Sequence, residues 1–316
     1  MHPKARRHGV QGHRQARAKV PLLEESCVSA SVSETPADVL GRVRAYAMSG
    51  LRWVLNTYQV AQDWDAETLC RMARETGHEG VEFLQDYHQP HGLEADATAE
   101  QRQRVRTALA AHGLECASLT SCMHFDMPDP AARRRSEDQV RRVIAYAPEM
   151  GCRHVRVLGD RLPEAPAERA ATLAAVAESL HALGEFAVPA GITVSLEVHG
   201  SFSDPEPARE VVRAAALDNV GLVFNSQWRV GASSGFTLPA GAASIRPLYD
   251  HIGQWFTSVH THDLAAPAET PYYRELFGLL RAAGWQGFVS NECAYRGPDP
   301  DRVLRLYTAL FRALTA

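Results

Sequence analysis

The sequence predicts a single α/β domain, a (β/α)8 TIM barrel spanning residues 48–316, behind a disordered basic N-terminal extension of residues 1–47. Three observations predict it. From Leu51 onward, short apolar runs alternate with helical stretches every roughly thirty to forty residues, the pattern of a parallel sheet covered by helices. Eight such units follow one another, which favours a closed barrel over an open sheet. Several helical stretches end in a glycine that returns the chain to a strand, as in R-E-T-G-H-E-G-V-E-F and R-A-A-G-W-Q-G-F-V-S.

Composition narrows the classes. A chain of 316 residues with 45% hydrophobic content can fill one large core. No apolar run approaches the ~18 residues of a membrane span, so no membrane partner is expected. The cysteines Cys27, Cys70, Cys116, Cys122, Cys152 and Cys293 are scattered without C-x-x-C pairs, which suits reduced thiols in a cytoplasmic protein better than a disulfide framework or a zinc ribbon. Residues 1–47 carry eight Lys/Arg and four Asp/Glu, a net of +4, so the chain total of −4 leaves −8 for the remainder. A body this acidic is poorly equipped to hold a phosphate backbone, and no nucleic-acid partner is expected.

Met1–Lys19 holds six Lys/Arg, no acids and almost nothing apolar, so burial cannot order it, and it lacks the apolar centre of a secretory signal. Met48, just before the first strand, is an alternative start. Strand one is Leu51–Asn56, followed by helix Ala66–Thr76 and its closing Gly77. Strand two, Gly80–Leu84, carries Glu82 and leads to Asp86 and His88; helix Ala99–Ala111 closes on Gly113. Strand three, Leu114–Leu119, leads into His124 and Asp126, and the basic run Arg133–Arg135 marks the exposed start of helix Ser136–Met150, closed by Gly151. Strand four, His154–Gly159, carries Arg156 and precedes helix Ala167–Phe186. After Gly191 comes strand five, Ile192–His199, a β-branched and aliphatic run that closes on Glu197 and His199. Helix Pro207–Ala215, strand six (Val220–Asn225), helix Ser244–Gln254 and strand seven (Phe256–His262) follow. Helix Tyr272–Ala283, strand eight (Gly287–Glu292) and helix Pro300–Leu314 complete the series.

Working residues of such a barrel sit at the C-terminal ends of the strands. Strand alternation places Glu197 and His199 on one face, and an ionisable pair there is costly unless it holds a metal or works on a substrate. For that pair alone, a buried salt-bridged Glu beside a core His is the competing explanation. Glu197, His260 and Glu292, from strands five, seven and eight, can aim at a common point. Two carboxylates and an imidazole suit one divalent ion of the Mn²⁺, Co²⁺, Mg²⁺ or Zn²⁺ kind.

With G-V-E-F at Gly80–Phe83, L-E-V-H at Leu196–His199, V-G-L-V-F-N at Val220–Asn225, V-H-T-H-D at Val259–Asp263 and G-W-Q-G-F-V-S-N-E at Gly284–Glu292, residues 50–315 resemble the xylose-isomerase-like barrel superfamily, often labelled sugar phosphate isomerase/epimerase. The resemblance implies a metal held by a strand-five Glu, a strand-six Asp, a strand-seven His and a strand-eight Glu, here Glu197, Asn225, His260 and Glu292. Asn225 departs from that pattern. Its carbonyl oxygen can coordinate but brings no negative charge, which implies weaker binding, a shifted metal preference or an inactive relative. Trp228 stands where many relatives have His; stacking on a sugar ring and plain packing both stay open.

The resemblance further implies a sugar or sugar phosphate isomerase or epimerase that removes a proton next to a carbonyl through an enediolate, with Glu197 and Glu292 transferring protons as well as ligating. Arg156 and His199 would hold substrate oxygens, and His262 would stand behind His260 or meet substrate. Glu82, His88 and His124 either contact substrate hydroxyls or make structural hydrogen bonds, and Arg296 meets a substrate anion or solvent. No Gly-rich phosphate cradle is present, so an unphosphorylated sugar, an inositol derivative or a glycoside is equally admissible. Alternatives are a metal-dependent dehydratase or keto-glycoside lyase, and a non-catalytic sugar-binding relative. DNA-repair endonucleases share this barrel, but the acidic body and single ligand set disfavour that class. Related barrels pair, which implies a homodimer.

Overall fold

The computed structural model describes residues 50–226, 244–267 and 269–316; the N-terminal extension and Trp228 lie outside the described residues. Eight parallel strands are present: β1 Arg52–Asn56, β2 Gly80–Leu84, β3 Glu115–His124, β4 His154–Leu158, β5 Thr193–Glu197, β6 Val220–Asn225, β7 Phe256–Thr261 and β8 Phe288–Asn291. Each pairs with the next and β8 pairs with β1, so the sheet closes into the barrel expected from the sequence. The described helices are α1 Ala66–Glu75, α2 Ala99–His112, α3 Pro130–Tyr146, α4 Pro166–Ala187, α5 Pro205–Ala215, α6 Arg246–Ile252, α7 Thr270–Ala282 and α8 Pro300–Thr315. None of them is long and apolar enough to cross a membrane.

Local chemistry sets the element ends. The side chains of Asp65, Thr98, Asp129 and Asp204 each accept a backbone N–H in the first turn of α1, α2, α3 and α5, and Gln101 completes a capping box with Thr98. At the opposite ends Gly77, Gly113, Gly151, Gly191 and Gly284 all adopt positive φ. Strand β3 runs five residues beyond its expected end at Leu119 and so includes His124. Two further boundaries have a clear local cause. Helix α3 starts at Pro130, six residues early, because Asp129 caps it and proline fits the first helical position. Strand β5 stops at Glu197, because the His199 N–H turns back to the Glu197 carbonyl (2.9 Å) instead of continuing the ladder to β4.

Outward side chains such as Trp53, Phe83, Val155, Leu196, Leu222 and Val289 are fully buried in one apolar core shared with the helices. The lumen, by contrast, is polar. In its lower layer His154 Nδ1 meets Ser118 Oγ (3.1 Å), while Nε2 meets Ser195 Oγ and Thr257 Oγ1 (both 2.9 Å). Barrels of this kind ordinarily fill that space with branched apolar side chains; here His154, Ser118, Ser195 and Thr257 satisfy one another by hydrogen bonds.

Trp53 on β1 ties the barrel to α8. Its indole N–H donates to Thr308 Oγ1 (3.0 Å), and its ring stacks on Phe311 (4.4 Å) and on His78 (5.6 Å). The Thr76 hydroxyl donates to the Met72 carbonyl at 2.7 Å, so His78 Nδ1–H donates to Thr76 Oγ1 and Nε2 accepts from the Asn291 amide at 3.2 Å. That pairing requires a neutral ring. Burial pushes the His78 pKa down to about 3, from an ordinary 6.5. Neutral His78 therefore stabilises the fold fully above pH 6.5, and the contribution is lost as pH falls from there towards 3. Urea unfolding from pH 6.5 down to 5 is expected to show a wild-type free energy that falls more steeply than that of His78→Gln, by about 1 kcal/mol per pH unit.

Candidate functional site

At the C-terminal rim, strand ends from most of the barrel converge in a chain of buried charges. Arg156 on β4 reaches Glu197 on β5, Nε to Oε2 at 2.9 Å, and donates through Nη1 to the Ser121 carbonyl at 2.9 Å. Glu197 Oε1 lies 3.0 Å from His260 Nδ1 and accepts from the Asn225 amide nitrogen. On the other side of the ring, His260 Nε2 lies 2.9 Å from Glu82 Oε1. That oxygen also accepts from Thr120 Oγ1 (2.6 Å) and Asn56 Nδ2 (3.0 Å). Glu292 Oε2 stands 3.4 Å from His260 Nδ1 and 3.6 Å from His262 Nε2, and closes a hydrogen bond with neither. All of these groups except His262 are buried.

The electrostatics follow from that packing. Burial drives the Glu197 pKa up, but Arg156 and then His260 outweigh it and hold the carboxyl well below its ordinary range. Burial also opposes ionisation of Glu82, yet His260, Thr120 and Arg156 bring its pKa to about 2. For His260, burial lowers the pKa, while Glu82 and Glu197 together raise it well above the ordinary imidazole value.

The donor set fits a divalent cation. Ligand atoms of Glu197, His260 and Glu292 all lie within 4.8 Å of one another. Three carboxylates against one guanidinium leave two negative charges when the imidazole is neutral, the charge a divalent ion balances. Glu292 Oε2 has no hydrogen-bond partner. Glu82 holds the far ring nitrogen of His260, as a carboxylate commonly does behind a metal-binding histidine. Asn225 is placed differently from the ligand role that the resemblance implies. Its amide nitrogen faces Glu197 and its carbonyl oxygen faces His262 Nε2 at 3.1 Å, so the one atom able to coordinate is engaged elsewhere.

Above these residues opens a cavity of about 430 Å³. Arg156, Glu197, Asn225 and Glu292 line its buried end, and His124, His199 and His262 line it as well. His124 is ion-paired with Asp126. His199 does not share the strand face of Glu197, because β5 has already ended; it is half-buried, with Nδ1 3.6 Å from Asp160 Oδ1. Gly200 makes that approach feasible: its φ is +57°, and a Cβ there would stand 2.4 Å from the Asp160 carbonyl oxygen.

Three expected substrate contacts are not among the described lining residues. Glu82 is wholly buried against His260. His88 has a 91% exposed side chain 4.0 Å from Glu94. Arg296 is exposed and donates to Gln62 Oε1 at 2.6 Å. Conversely, sequence reasoning passed over Asp160, Tyr58 and Tyr87, which do line the cavity. Asp160 carried the same signal as Arg156, an ionisable group at the end of strand four; the two tyrosines sit in loops with no comparable mark.

A family model described as a xylose isomerase-like TIM barrel matches residues 70–312. No curated protein sequence matches the chain. Similar solved structures include a 3-keto-D-glucoside 4-epimerase from E. coli in its apo form, with TM-score 0.66 and 18% identity over 83% of this chain and 99% of that one. A D-psicose 3-epimerase with D-tagatose from Clostridium cellulolyticum H10 gives TM-score 0.66 and 14% identity over 84% and 99%. A xylose isomerase-like TIM barrel protein from Mycobacterium smegmatis in complex with magnesium gives TM-score 0.59 and 18% identity over 86% and 99%. At these identities the likeness establishes the fold.

Removing Arg156 leaves Glu197 buried with one fewer counter-charge. Arg156→Met is expected to lower the unfolding free energy of the metal-free protein by about 3–5 kcal/mol, measured by urea denaturation at neutral pH.

Proposed function

We propose that this chain, which belongs to the xylose isomerase-like TIM barrel family, is a divalent-metal-dependent isomerase or epimerase that moves a proton at a carbon next to the carbonyl of a sugar. The observation that carries this is the Glu197, His260 and Glu292 triad at the buried end of a cavity lined by hydrogen-bonding groups. Structures of similar fold support it, since two are named sugar epimerases and a third holds magnesium.

Glu197, His260 and Glu292 would hold the ion, which when bound supplies Lewis-acid polarisation of carbonyl and hydroxyl oxygens. Glu292, whose Oε2 has no hydrogen-bond partner, takes the proton from the carbon beside the carbonyl. Glu197 is fixed by Arg156 on the far side of the cavity's end and serves the opposite face of the enediolate. His262 and Arg156 orient substrate oxygens, and the buried setting strengthens each of these contacts. Arg156, the one permanent cation among the described lining residues, is already paired with Glu197, which supports an uncharged sugar over a sugar phosphate.

A non-catalytic sugar-binding role is the second reading, favoured by Asn225 turning its amide nitrogen towards Glu197. Calorimetric titration of metal-stripped protein with Mn²⁺, Co²⁺, Zn²⁺ and Mg²⁺ tests the proposal. One ion per chain is expected, lost in Glu292→Gln and bound about tenfold tighter in Asn225→Asp. Glu82→Gln, which leaves all three ligands in place, is expected to weaken binding by about 10–100-fold. No binding by wild type, unrestored in Asn225→Asp, overturns a metal-dependent isomerase. With metal bound, a sugar panel separates the remaining outcomes: product of unchanged mass for isomerisation or epimerisation, loss of water or an aglycone for a dehydratase or lyase, and binding without turnover for the second reading.

A further inference from the structure

The cavity has two chemically distinct ends. Its buried end is a ring of hydrogen-bonding groups that includes Arg156, Glu197, Asn225, His262 and Glu292. Two aromatic rings, Tyr58 and Tyr87, line it as well, with ring centroids 6.3 Å apart and planes inclined by 38°. They are the aromatic residues among its described lining. Both are exposed, Tyr58 by 38% and Tyr87 by 68%, so they form its open side and contribute little to the core.

The backbone is strained to present Tyr87. Tyr87 has φ +77° and His88, the next residue, φ +50°, a left-handed pair in which neither residue is glycine. Such residues persist only where their surroundings hold them. Here the Asp86 carboxylate accepts the Cys122 N–H at 2.6 Å, the Gln89 N–H donates to Glu94 Oε1 at 2.8 Å, and the Gln89 amide donates to the Thr57 carbonyl at 3.1 Å. The turn is clamped on both sides of the strained pair. Tyr58 is fixed as well: its N–H donates to Asn56 Oδ1 at 2.7 Å, and the Asn56 amide donates to Glu82 Oε1, the carboxylate behind His260. Asn56 thus anchors both Tyr58 and the carboxylate that stands behind His260.

We propose that Tyr58 and Tyr87 are a stacking platform for a second ring, so that the substrate is a keto-glycoside, a sugar ring that keeps a ring carbonyl for the proton transfer and bears a sugar or aryl ring on its anomeric oxygen, and not a free monosaccharide. The proposal rests on the sugar reading of the same cavity and adds the substrate class. The buried end meets the hydroxyls of the reacting ring. The tyrosine faces, offering apolar area at low conformational cost, suit the C–H face of a neighbouring sugar or an aromatic aglycone. A nucleotide on that ring is disfavoured, because no described lining residue supplies an unpaired permanent cation for its phosphates.

Calorimetric titration of the full chain with methyl β-D-glucoside and phenyl β-D-glucoside, two unreactive probes that differ only in the second ring, tests this without turnover. Phenyl glucoside is expected to bind about 5–10-fold tighter. That gap should shrink to within about twofold in Tyr87→Ala and in Tyr58→Ala, survive in Tyr87→Phe, and leave methyl glucoside affinity unchanged throughout. Equal affinities, binding of neither probe, or a gap that persists in both alanine variants overturns the platform. The isomerase reading fails separately: a platform signature without turnover of any keto-sugar or keto-glycoside sinks that reading alone. Turnover with no preference for glycosides over free sugars sinks the platform alone.

Discussion

The structure depends on the chain of buried charges that runs Glu82–His260–Glu197–Arg156 across the upper lumen. Moving such groups out of water costs several kcal/mol apiece, and the cost is recovered only when each ion is held at close range by partners of opposite charge and by further hydrogen bonds. Each link of this chain is 3.0 Å or shorter. The partners come from β2, β7, β5 and β4, so the chain closes only if the barrel does. Its presence also explains the polar layer beneath it. A lumen packed with aliphatic side chains would offer Glu82 no Thr120 hydroxyl, and the carboxylate would face hydrocarbon instead.

Glu292 differs from the other two carboxylates in its setting. Glu82 Oε1 is committed to Thr120 and Asn56 and lies beside His260, and Glu197 is committed to His260, Arg156 and the Asn225 amide. Glu82 Oε2 and Glu292 Oε2 both lack a hydrogen-bond partner, but Glu82 is wholly buried behind His260, whereas Glu292 lines the cavity. A network of this kind has a rigid part and a reactive part. Rigidity comes from the oxygens already engaged, and reactivity from the unengaged one that the cavity reaches.

Much of this was legible in the sequence. The barrel followed from the count and order of its units, because β/α alternation and helix-ending glycines are local signals that the fold repeats eight times. Glu197, His260 and Glu292 were legible because a strand end is a position that periodicity locates to within a residue or two. Where the chain leaves its strand, local pattern failed: the apolar run continues through Val198, but a backward hydrogen bond ends β5 at Glu197 and sends His199 to Asp160. The position of Glu82 was equally hidden. Strand periodicity gives its inward face but not its depth, and depth decides whether a carboxylate meets a ligand or the back of a histidine. Tyr58 and Tyr87 could not be found at all, since loop residues are placed by anchors distant in sequence such as Cys122 and Thr57.

The plug of His154, Ser118, Ser195 and Thr257 closes the lumen below the charged layer with side chains that satisfy one another. Among the described residues the lumen is therefore closed beneath the cavity, and the exposed tyrosines line its other side. A ligand held against the charged layer has no way out through the barrel floor, so the affinity that holds it in place also sets how soon the vessel empties.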